Sequence, residues 1–209
     1  MKLKTGILAA VALAAVPFAN AGDLLIRGGV HNVDPKSSND LGLDVGSNAT
    51  LSIGATWFLT KNIAVDLLGA LPFKHDIDVA GATIATVKHL PPTLGVQYHF
   101  NPGGKFDPYV GAGLNVTLFF SEKITSVGQA ALSSALETTV TADDLSTTNS
   151  VGPALQLGGD FAIGKDWVLG VDVRWAKINT DVSIVGVKLG QLDIDPLVYG
   201  ITIGRRLSL

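Results

Sequence analysis

Apolar residues alternate with polar residues or glycine along eight stretches of the chain. In the second stretch, Leu51, Ile53 and Ala55 share one face, whereas Ser52 and Gly54 share the other. A period of two is typical of β-strands, because successive side chains point to opposite faces of a sheet. The pattern therefore predicts an all-β chain of eight antiparallel strands. These strands begin near Leu24, Leu51, Ile63, Leu90, Val110, Leu155, Leu169 and Leu197.

The lengths of the connections separate two architectures that share this alternation, a soluble sandwich and a membrane barrel. Short connections lie at residues 60–62, 101–106 and 164–166, and long ones at 33–47, 72–86, 121–149 and 178–193. Regular alternation of short periplasmic turns with long extracellular loops is typical of outer-membrane barrels, whose termini both lie in the periplasm. We therefore expect an eight-stranded antiparallel transmembrane β-barrel. In the longest connection, the segment 127–136 is rich in alanine and leucine and is expected to form a short helix.

Composition favours the membrane barrel over the sandwich. The mean hydropathy is +0.38 and only 16% of the residues are charged, whereas a soluble domain has about 25%. Beyond residue 21, no apolar stretch approaches the roughly 20 residues that a spanning helix needs. A chain that crosses a membrane without such helices must close into a barrel, because closure satisfies every backbone hydrogen bond within the hydrocarbon.

The first 21 residues have the layout of a secretory signal. Lys2 and Lys4 precede an uncharged apolar run from residue 5 to 18, and residues 19–21 read Ala-Asn-Ala. We expect cleavage after Ala21, which leaves residues 22–209 as a single barrel domain in the bacterial outer membrane. The signal carries two of the 15 basic residues and none of the 18 acidic ones, so the mature net charge is about −5. Without basic clusters, this balance argues against nucleic acid as a partner.

Charged residues also occur on the polar face of the strands, which a barrel directs into its lumen. Charges inside a small barrel usually pair with one another. We therefore favour a structural plug over an ion path. The residues concerned are Arg27, Asp66, Asp160, Asp172, Arg174 and Arg206.

Catalytic and metal-binding patterns are weak in this sequence. None of the four histidines, His31, His75, His89 and His99, has metal-ligand spacing to another. No serine adjoins a histidine in any predicted strand, although a hydrolase of the membrane would need such a pair. The sequence therefore predicts neither an enzyme nor a bound cofactor.

Several motifs resemble the OmpW family of outer-membrane proteins, in order and spacing across the mature chain. The more specific ones are His89-Leu90-Pro91-Pro92-Thr93 and Pro108-Tyr109-Val110-Gly111-Ala112-Gly113. The stretch 71–77, the pairs Asp166-Trp167 and Asp195-Pro196, and the run 172–174 agree as well. The resemblance implies an eight-stranded barrel with a narrow, largely hydrophobic lumen. It also implies passage of small hydrophobic molecules, with exit sideways through the wall into the membrane as one route.

The resemblance and the sequence together suggest where such a path would run. Proline has no N–H, so Pro91 and Pro92 interrupt the pairing of the fourth predicted strand, as a lateral opening or as a bulge or strand start at the outer edge. Val151 stands where some relatives carry a tryptophan. The residues expected to line the channel or lateral gate are Phe73, His89, Leu90, Pro91, Pro92 and Val151.

The expected partners follow from this location and path. They are outer-membrane lipid and lipopolysaccharide, small hydrophobic molecules, and the barrel-assembly machinery during biogenesis. The alternative function is a structural or adhesive surface barrel with a closed lumen.

Overall fold

The computed structural model describes residues 22–36 and 43–208, and the expected signal peptide at 1–21 lies outside them. Within these ranges the chain forms fourteen strands and one helix. They are β1 (Leu24–Asp34), β2 (Asp44–Val45), β3 (Asn48–Phe58), β4 (Ile63–Ala70), β5 (Phe73–Val79), β6 (Ala82–Leu90), β7 (Thr93–His99), β8 (Phe106–Ile124), α1 (Ser126–Leu136), β9 (Leu145–Thr147), β10 (Ser150–Ala162), β11 (Trp167–Ala176), β12 (Asn179–Ile184), β13 (Val187–Asp193) and β14 (Leu197–Leu207).

Eight of these strands form a closed antiparallel barrel, which confirms the predicted fold. Their order around the wall is β1, β3, β4, β7, β8, β10, β11 and β14, and β14 pairs again with β1. The register of the closing pair runs from Leu24 opposite Leu207 to Asp34 opposite Leu197. Both described ends of the chain therefore lie at one end of the barrel, beside the short turns.

The two faces of the wall have opposite polarity. Outward-facing side chains are apolar and exposed, with Leu51 at 60%, Ile53 at 65% and Ile201 at 63% exposure. Inward-facing positions on the same sheet hold buried polar residues such as Thr56 and Asp66. A soluble sandwich would have the reverse arrangement, so the structure settles the choice that alternation alone left open.

Most of the long connections are folded, which corrects their prediction as loops. Segment 72–86 lies largely in the β5–β6 hairpin, and segment 178–193 largely in the β12–β13 hairpin, which pairs with β9. The expected short helix is confirmed as α1, whose first turn is capped by the Thr125 hydroxyl accepting a hydrogen bond from the amide of Gly128. No helix in the part of the chain described here is long and apolar enough to cross a membrane.

Glycines on the inner face make room for large side chains that lie across the lumen. A Cβ atom on Gly200 would fall 2.0 Å from Nε2 of His31, and one on Gly158 would fall 2.5 Å from the hydroxyl of Tyr109. Both distances are far below van der Waals contact, so neither position accepts a larger residue while these rings stay in place. The glycines of the inner face are therefore consistent with a lumen that is filled by side chains.

Candidate functional site

The lumen is closed by a buried ion pair between two strands that are not neighbours in the wall. The Arg27 guanidinium donates to both carboxylate oxygens of Asp160, with N–O distances of 3.0 and 3.1 Å. Arg27 also donates to the Thr56 hydroxyl, which donates in turn to Asp66. A bidentate pair of this kind is both strong and directional. It joins β1 to β10 across the barrel.

A second group of charges lies on the outer side of this pair. Arg174 contacts Asp66 at 3.0 Å and Asp172 at 2.9 Å, and Asp172 lies 3.2 Å from Nε2 of His31. All of these side chains are buried. The expectation that the inward charges pair as a plug is therefore confirmed for Arg27, Asp66, Asp160, Asp172 and Arg174.

Arg206 differs from the other predicted plug residues. Its guanidinium lies 3.8 Å from the Asp23 carboxylate and 5.1 Å from the centre of the Phe58 ring, at the end of the barrel where the chain termini lie. The side chain is 22% exposed. Arg206 therefore belongs to the rim and lies outside the plug.

The polar plug corrects the expectation of a largely hydrophobic lumen. Further polar contacts join β7, β8 and β10 inside the barrel: His99 contacts Asp107 at 2.9 Å and Gln97 at 3.1 Å, and Gln97 donates to Gln156 at 2.9 Å. The cavity beside Asp66 and Arg174 measures only about 10 Å³, which is about the minimum that one water molecule needs. An apolar path straight through the barrel is therefore absent from the described residues.

A serine, a histidine and an aspartate meet at the outer side of the plug, although no serine adjoins a histidine within any predicted strand. Ser52 Oγ lies 2.7 Å from Nδ1 of His31, whose Nε2 faces Asp172. Ser52 is buried and does not line the described cavities, and Asp172 is shared with Arg174. Adjacency in the sequence could not reveal this pair, because the two residues lie on neighbouring strands.

Beyond the outer end of the barrel, the folded hairpins enclose an apolar cavity of about 210 Å³. Its wall comes from β5, β6, the end of β8, β9, α1 and the β12–β13 hairpin. Apart from His75, His89, Thr147 and Thr180, every described lining side chain is apolar. We call this space the outer cavity. Representative lining residues are Ile77, Val87, Phe119, Ile124, Val182 and Leu192.

Two neutral histidines lie in the wall of the outer cavity. The rings of His75 and His89 meet edge to face with their centres 4.8 Å apart, and both are at most 3% exposed. Burial lowers the pKa of His75, and it lowers the pKa of His89 to about 3, assisted by the neighbouring His75. Desolvation disfavours the charged imidazolium, so both rings are neutral at pH 7.

His89 also borders a smaller space of about 30 Å³ that lies between the outer cavity and the plug. We call this the inner cavity. Its wall includes His31 and Arg174 on the plug side and Leu68, Ala70 and Thr93 on the side of β4 and β7. The two cavities therefore follow one another along the barrel axis, and His89 stands between them.

The six residues expected to line a channel have different positions. Phe73, His89 and Pro91 line the inner cavity, whereas Leu90 and Pro92 are half-buried and do not line it. The placement of Val151 was wrong: its side chain is 68% exposed on the outer face. Even-numbered positions of this part of β10, such as Ser150, face the lumen, so Val151 faces away.

The two prolines separate β6 from β7, which corrects the single fourth strand predicted to run through them. The ladder between β4 and β7 ends where Leu68 faces Thr93. The Pro92 carbonyl accepts from the amide of Val116 on β8 at 2.9 Å. Since N–H directions alternate along a strand, the missing N–H of Pro91 belongs to the opposite side, toward Ala70 of β4.

An unpaired seam therefore opens in the wall between the end of β4 and the proline pair. Neither Gly69 nor Ala70 is paired with β7, although both border the inner cavity together with Pro91. Asn115 donates to the Pro91 carbonyl at 3.1 Å and to the Thr93 hydroxyl at 3.0 Å, and so holds this edge of the seam from inside.

The described residues do not form a metal site. Across residues 22–36 and 43–208, no three or more His, Cys, Asp or Glu side chains are arranged to hold a metal ion.

Comparison with known proteins gives consistent results over nearly the whole chain. The model of the OmpW family matches residues 20–207. Outer membrane protein W of Vibrio cholerae is 34% identical over 216 residues, covering 96% of this chain and 95% of the relative. Outer membrane protein W of Escherichia coli is 37% identical over 200 residues, covering 89% of each chain. The crystal structure of the outer membrane protein OprG from Pseudomonas aeruginosa superposes with a TM-score of 0.76 at 31% identity, covering 90% of this chain and 97% of that one.

Proposed function

The chain belongs to the OmpW family of outer-membrane β-barrels, and from that premise we propose that it conducts small hydrophobic molecules from the cell exterior sideways into the membrane. In this proposal, a molecule enters the outer cavity between the hairpins. It passes His89 into the inner cavity and leaves through the seam between β4 and the proline pair.

The observation that carries this proposal is that the outer and inner cavities end at a closed polar plug. An apolar molecule gains free energy by leaving water for an apolar site of matching size. To continue along the axis, it would have to separate the buried charges of Arg27, Asp160, Asp66 and Arg174. Exposing such charges to an apolar partner costs several kcal/mol for each ion. The axial direction is therefore closed to apolar cargo.

The seam offers a route of lower cost. At Gly69 and Ala70 no ladder to β7 has to be broken, because the pairing ends at Leu68 and Thr93. The seam itself consists of small or apolar residues, although the polar Asn115 and Thr93 lie on its inner side. The outer face of the wall beside it is apolar, with Leu67 and Leu94 exposed. An apolar molecule that leaves there passes from an apolar site to hydrocarbon without crossing water.

The size of the outer cavity restricts the cargo to small molecules. A cavity of about 150 Å³ in another protein holds one benzene molecule. The outer cavity, at about 210 Å³, therefore fits a molecule of the size of a substituted benzene or naphthalene.

The proposal is tested by the rate at which naphthalene reaches the bilayer of vesicles whose outer leaflet contains lipopolysaccharide. Refolded protein should speed the rise of naphthalene fluorescence in the bilayer without speeding the entry of small polar solutes. Ala85→Phe, which fills the outer cavity from a buried position, should slow naphthalene uptake at least several-fold. Val187→Phe adds the same ring at a site that is 64% exposed and outside the cavity lining, and it should leave uptake unchanged.

Two results would speak against the proposal. Uptake no faster than in protein-free vesicles, from a barrel shown to be folded, would favour a structural surface barrel, in keeping with its closed lumen. Equal uptake by the native protein and by folded Ala85→Phe would remove the outer cavity from the route.

A further inference from the structure

The outer cavity contains two buried polar atoms without a hydrogen-bond partner among the described residues. These atoms are Nε2 of His75 and Nε2 of His89. Their side chains are 3% and 2% exposed, respectively, and both rings line the cavity. A buried polar atom without a partner is costly. Two such atoms in a largely apolar wall therefore indicate that the ligand itself carries a polar group.

The hydrogen bond made by Nδ1 of His75 determines whether Nε2 of the same ring can donate or accept. Nδ1 of His75 lies 2.5 Å from the carbonyl oxygen of Gly46. Since a carbonyl only accepts, Nδ1 carries the proton and donates. In a neutral imidazole the other nitrogen then has a lone pair and no proton. Nε2 of His75 is therefore an acceptor that requires a donor.

No described side chain of the cavity wall donates a hydrogen bond to Nε2 of His75, so the donor has to come from a bound molecule. Phe73 stacks beside His75 with ring centres 6.4 Å apart, and Phe119 lies 5.7 Å from the ring of His89. Neither phenylalanine donates a hydrogen bond. The threonines of the cavity wall have partners elsewhere, since Thr180 donates to the Thr148 carbonyl and Thr147 donates to Glu122.

We propose that the outer cavity selects small apolar molecules carrying a hydroxyl group, such as phenols and alcohols, over hydrocarbons of the same size. The hydroxyl donates its proton to Nε2 of His75, while its oxygen faces the edge of His89. The inference rests on the proposed function, since it names the class of cargo that the same cavity holds.

A site that bonds a hydroxyl rejects the analogue without one, because the buried nitrogen is then left unpaired. The matched pair of probes is 4-methylphenol and para-xylene, which differ by a hydroxyl in place of a methyl group. Affinities are measured from the NMR shifts of the cavity methyl groups in refolded protein in micelles. Each value is corrected for the partition of the probe into protein-free micelles. The phenol should bind roughly tenfold more tightly than the xylene, the range expected of one net hydrogen bond.

His75→Phe should remove this preference, so that the corrected affinities for 4-methylphenol and para-xylene become equal. Binding of para-xylene to the variant shows that its cavity is still formed. A second measurement needs no variant. In native protein labelled with ¹⁵N at histidine, 4-methylphenol should shift the Nε2 resonance of His75, and para-xylene should not shift it.

The outcomes separate the two claims. Equal corrected affinities, or a His75 Nε2 resonance that does not respond to bound 4-methylphenol, would overturn the preference for hydroxyls and leave uptake of apolar cargo standing. If neither probe binds to the folded protein, both this inference and the proposed function are wrong.

Discussion

Arg27 and Asp160, 133 residues apart in the sequence, meet inside the barrel as a bidentate ion pair that is almost fully buried. Their separation in the chain means that the pair forms only when β1 and β10 have taken their places in the closed wall. The pair therefore reports on closure of the barrel as well as on closure of the lumen.

Removing one partner of this pair should strongly destabilise the barrel. Arg27→Ala leaves the Asp160 carboxylate buried without its counter-charge, which typically costs about 3 to 5 kcal/mol. The loss is measured as the change in free energy of unfolding in urea, with the protein in lipid vesicles. The double replacement Arg27→Met, Asp160→Leu should cost less than Arg27→Ala alone, because it leaves no lone charge. An Arg27→Ala variant as stable as the native protein would contradict a structural plug.

The two prolines should contribute differently to transport. Pro91→Ala restores an N–H directed toward Ala70, so the ladder between β4 and β7 can extend across the seam, and naphthalene uptake should fall several-fold. Pro92→Ala restores an N–H on the side of β8 and is the matched control, with uptake close to native. The measurement is the vesicle assay at equal amounts of inserted protein. Equal effects of the two replacements would show that the direction of the missing N–H is irrelevant.

The outer hairpins should lose stability in acid through the two cavity histidines. Their pKa values are lowered in the folded protein by burial, while nearby Asp76 acts in the opposite sense on His75. Below the unfolded value of about 6.5, the unfolded hairpin binds protons that the folded one does not. Stability is therefore complete above about pH 6.5, and it decreases as the pH falls toward 3, the folded pKa of His89.

Amide hydrogen exchange of the β5–β6 hairpin between pH 7 and pH 4, corrected for the intrinsic rates, measures this loss. His89→Phe should flatten the dependence on pH, because it removes the more strongly shifted group. Protection factors that stay constant across this range in the native protein would mean that the histidines are not buried as described.

The contact between Ser52 and His31 should be structural. Ser52 is buried outside the described cavities, so a fluorophosphonate reagent should not label it, and Ser52→Ala should leave naphthalene uptake unchanged. Mass spectrometry of the treated protein detects any adduct. Labelling of Ser52 would contradict a purely structural role and would favour a membrane hydrolase.

The direction of a side chain, into the lumen or toward the outside, could be predicted wherever the alternation of apolar and polar residues continues along a strand without interruption. The positions of Arg27, Asp66 and Arg174 on the inner face follow from counting along their strands. Val151 has the same parity as Leu155 and Leu157, which are exposed on the outer face, so counting along the strand places it outside as well. Its assignment to the lumen came from the family resemblance, and it failed because it ignored that count.

The outer cavity could not be predicted in the same way. Its wall combines β5, β6, β9 and β12, which are distant in the sequence and were interpreted as loops or left unassigned. A signal was nevertheless present, because His75 and Ile77 alternate with Lys74 and Asp76 on β5. Alternation shows that one face of β5 is buried, but it does not show which other strands pack against that face. Those packing partners become known only from the three-dimensional structure.

The seam between β4 and the proline pair is the central element of the proposed route, and it can be closed reversibly. The chain contains no cysteine, so an introduced pair forms without competition. Extending the register of Leu68 and Thr93 by one residue places Gly69 opposite Pro92, and a Cβ on Gly69 meets only the carbonyl of Ile53, at 4.0 Å. Gly69→Cys with Pro92→Cys would bridge the seam. Leu67→Cys with Leu94→Cys bridges the same strands where they are already paired, and it is the control.

The decisive measurement is the rate of naphthalene uptake by these two variants in oxidised and reduced form, with the disulfide confirmed by mass spectrometry. We predict that oxidation of the seam pair abolishes uptake, that reduction restores it, and that the control pair transports at the native rate in both states. Native-rate uptake by the fully oxidised seam pair would contradict lateral release between β4 and β7.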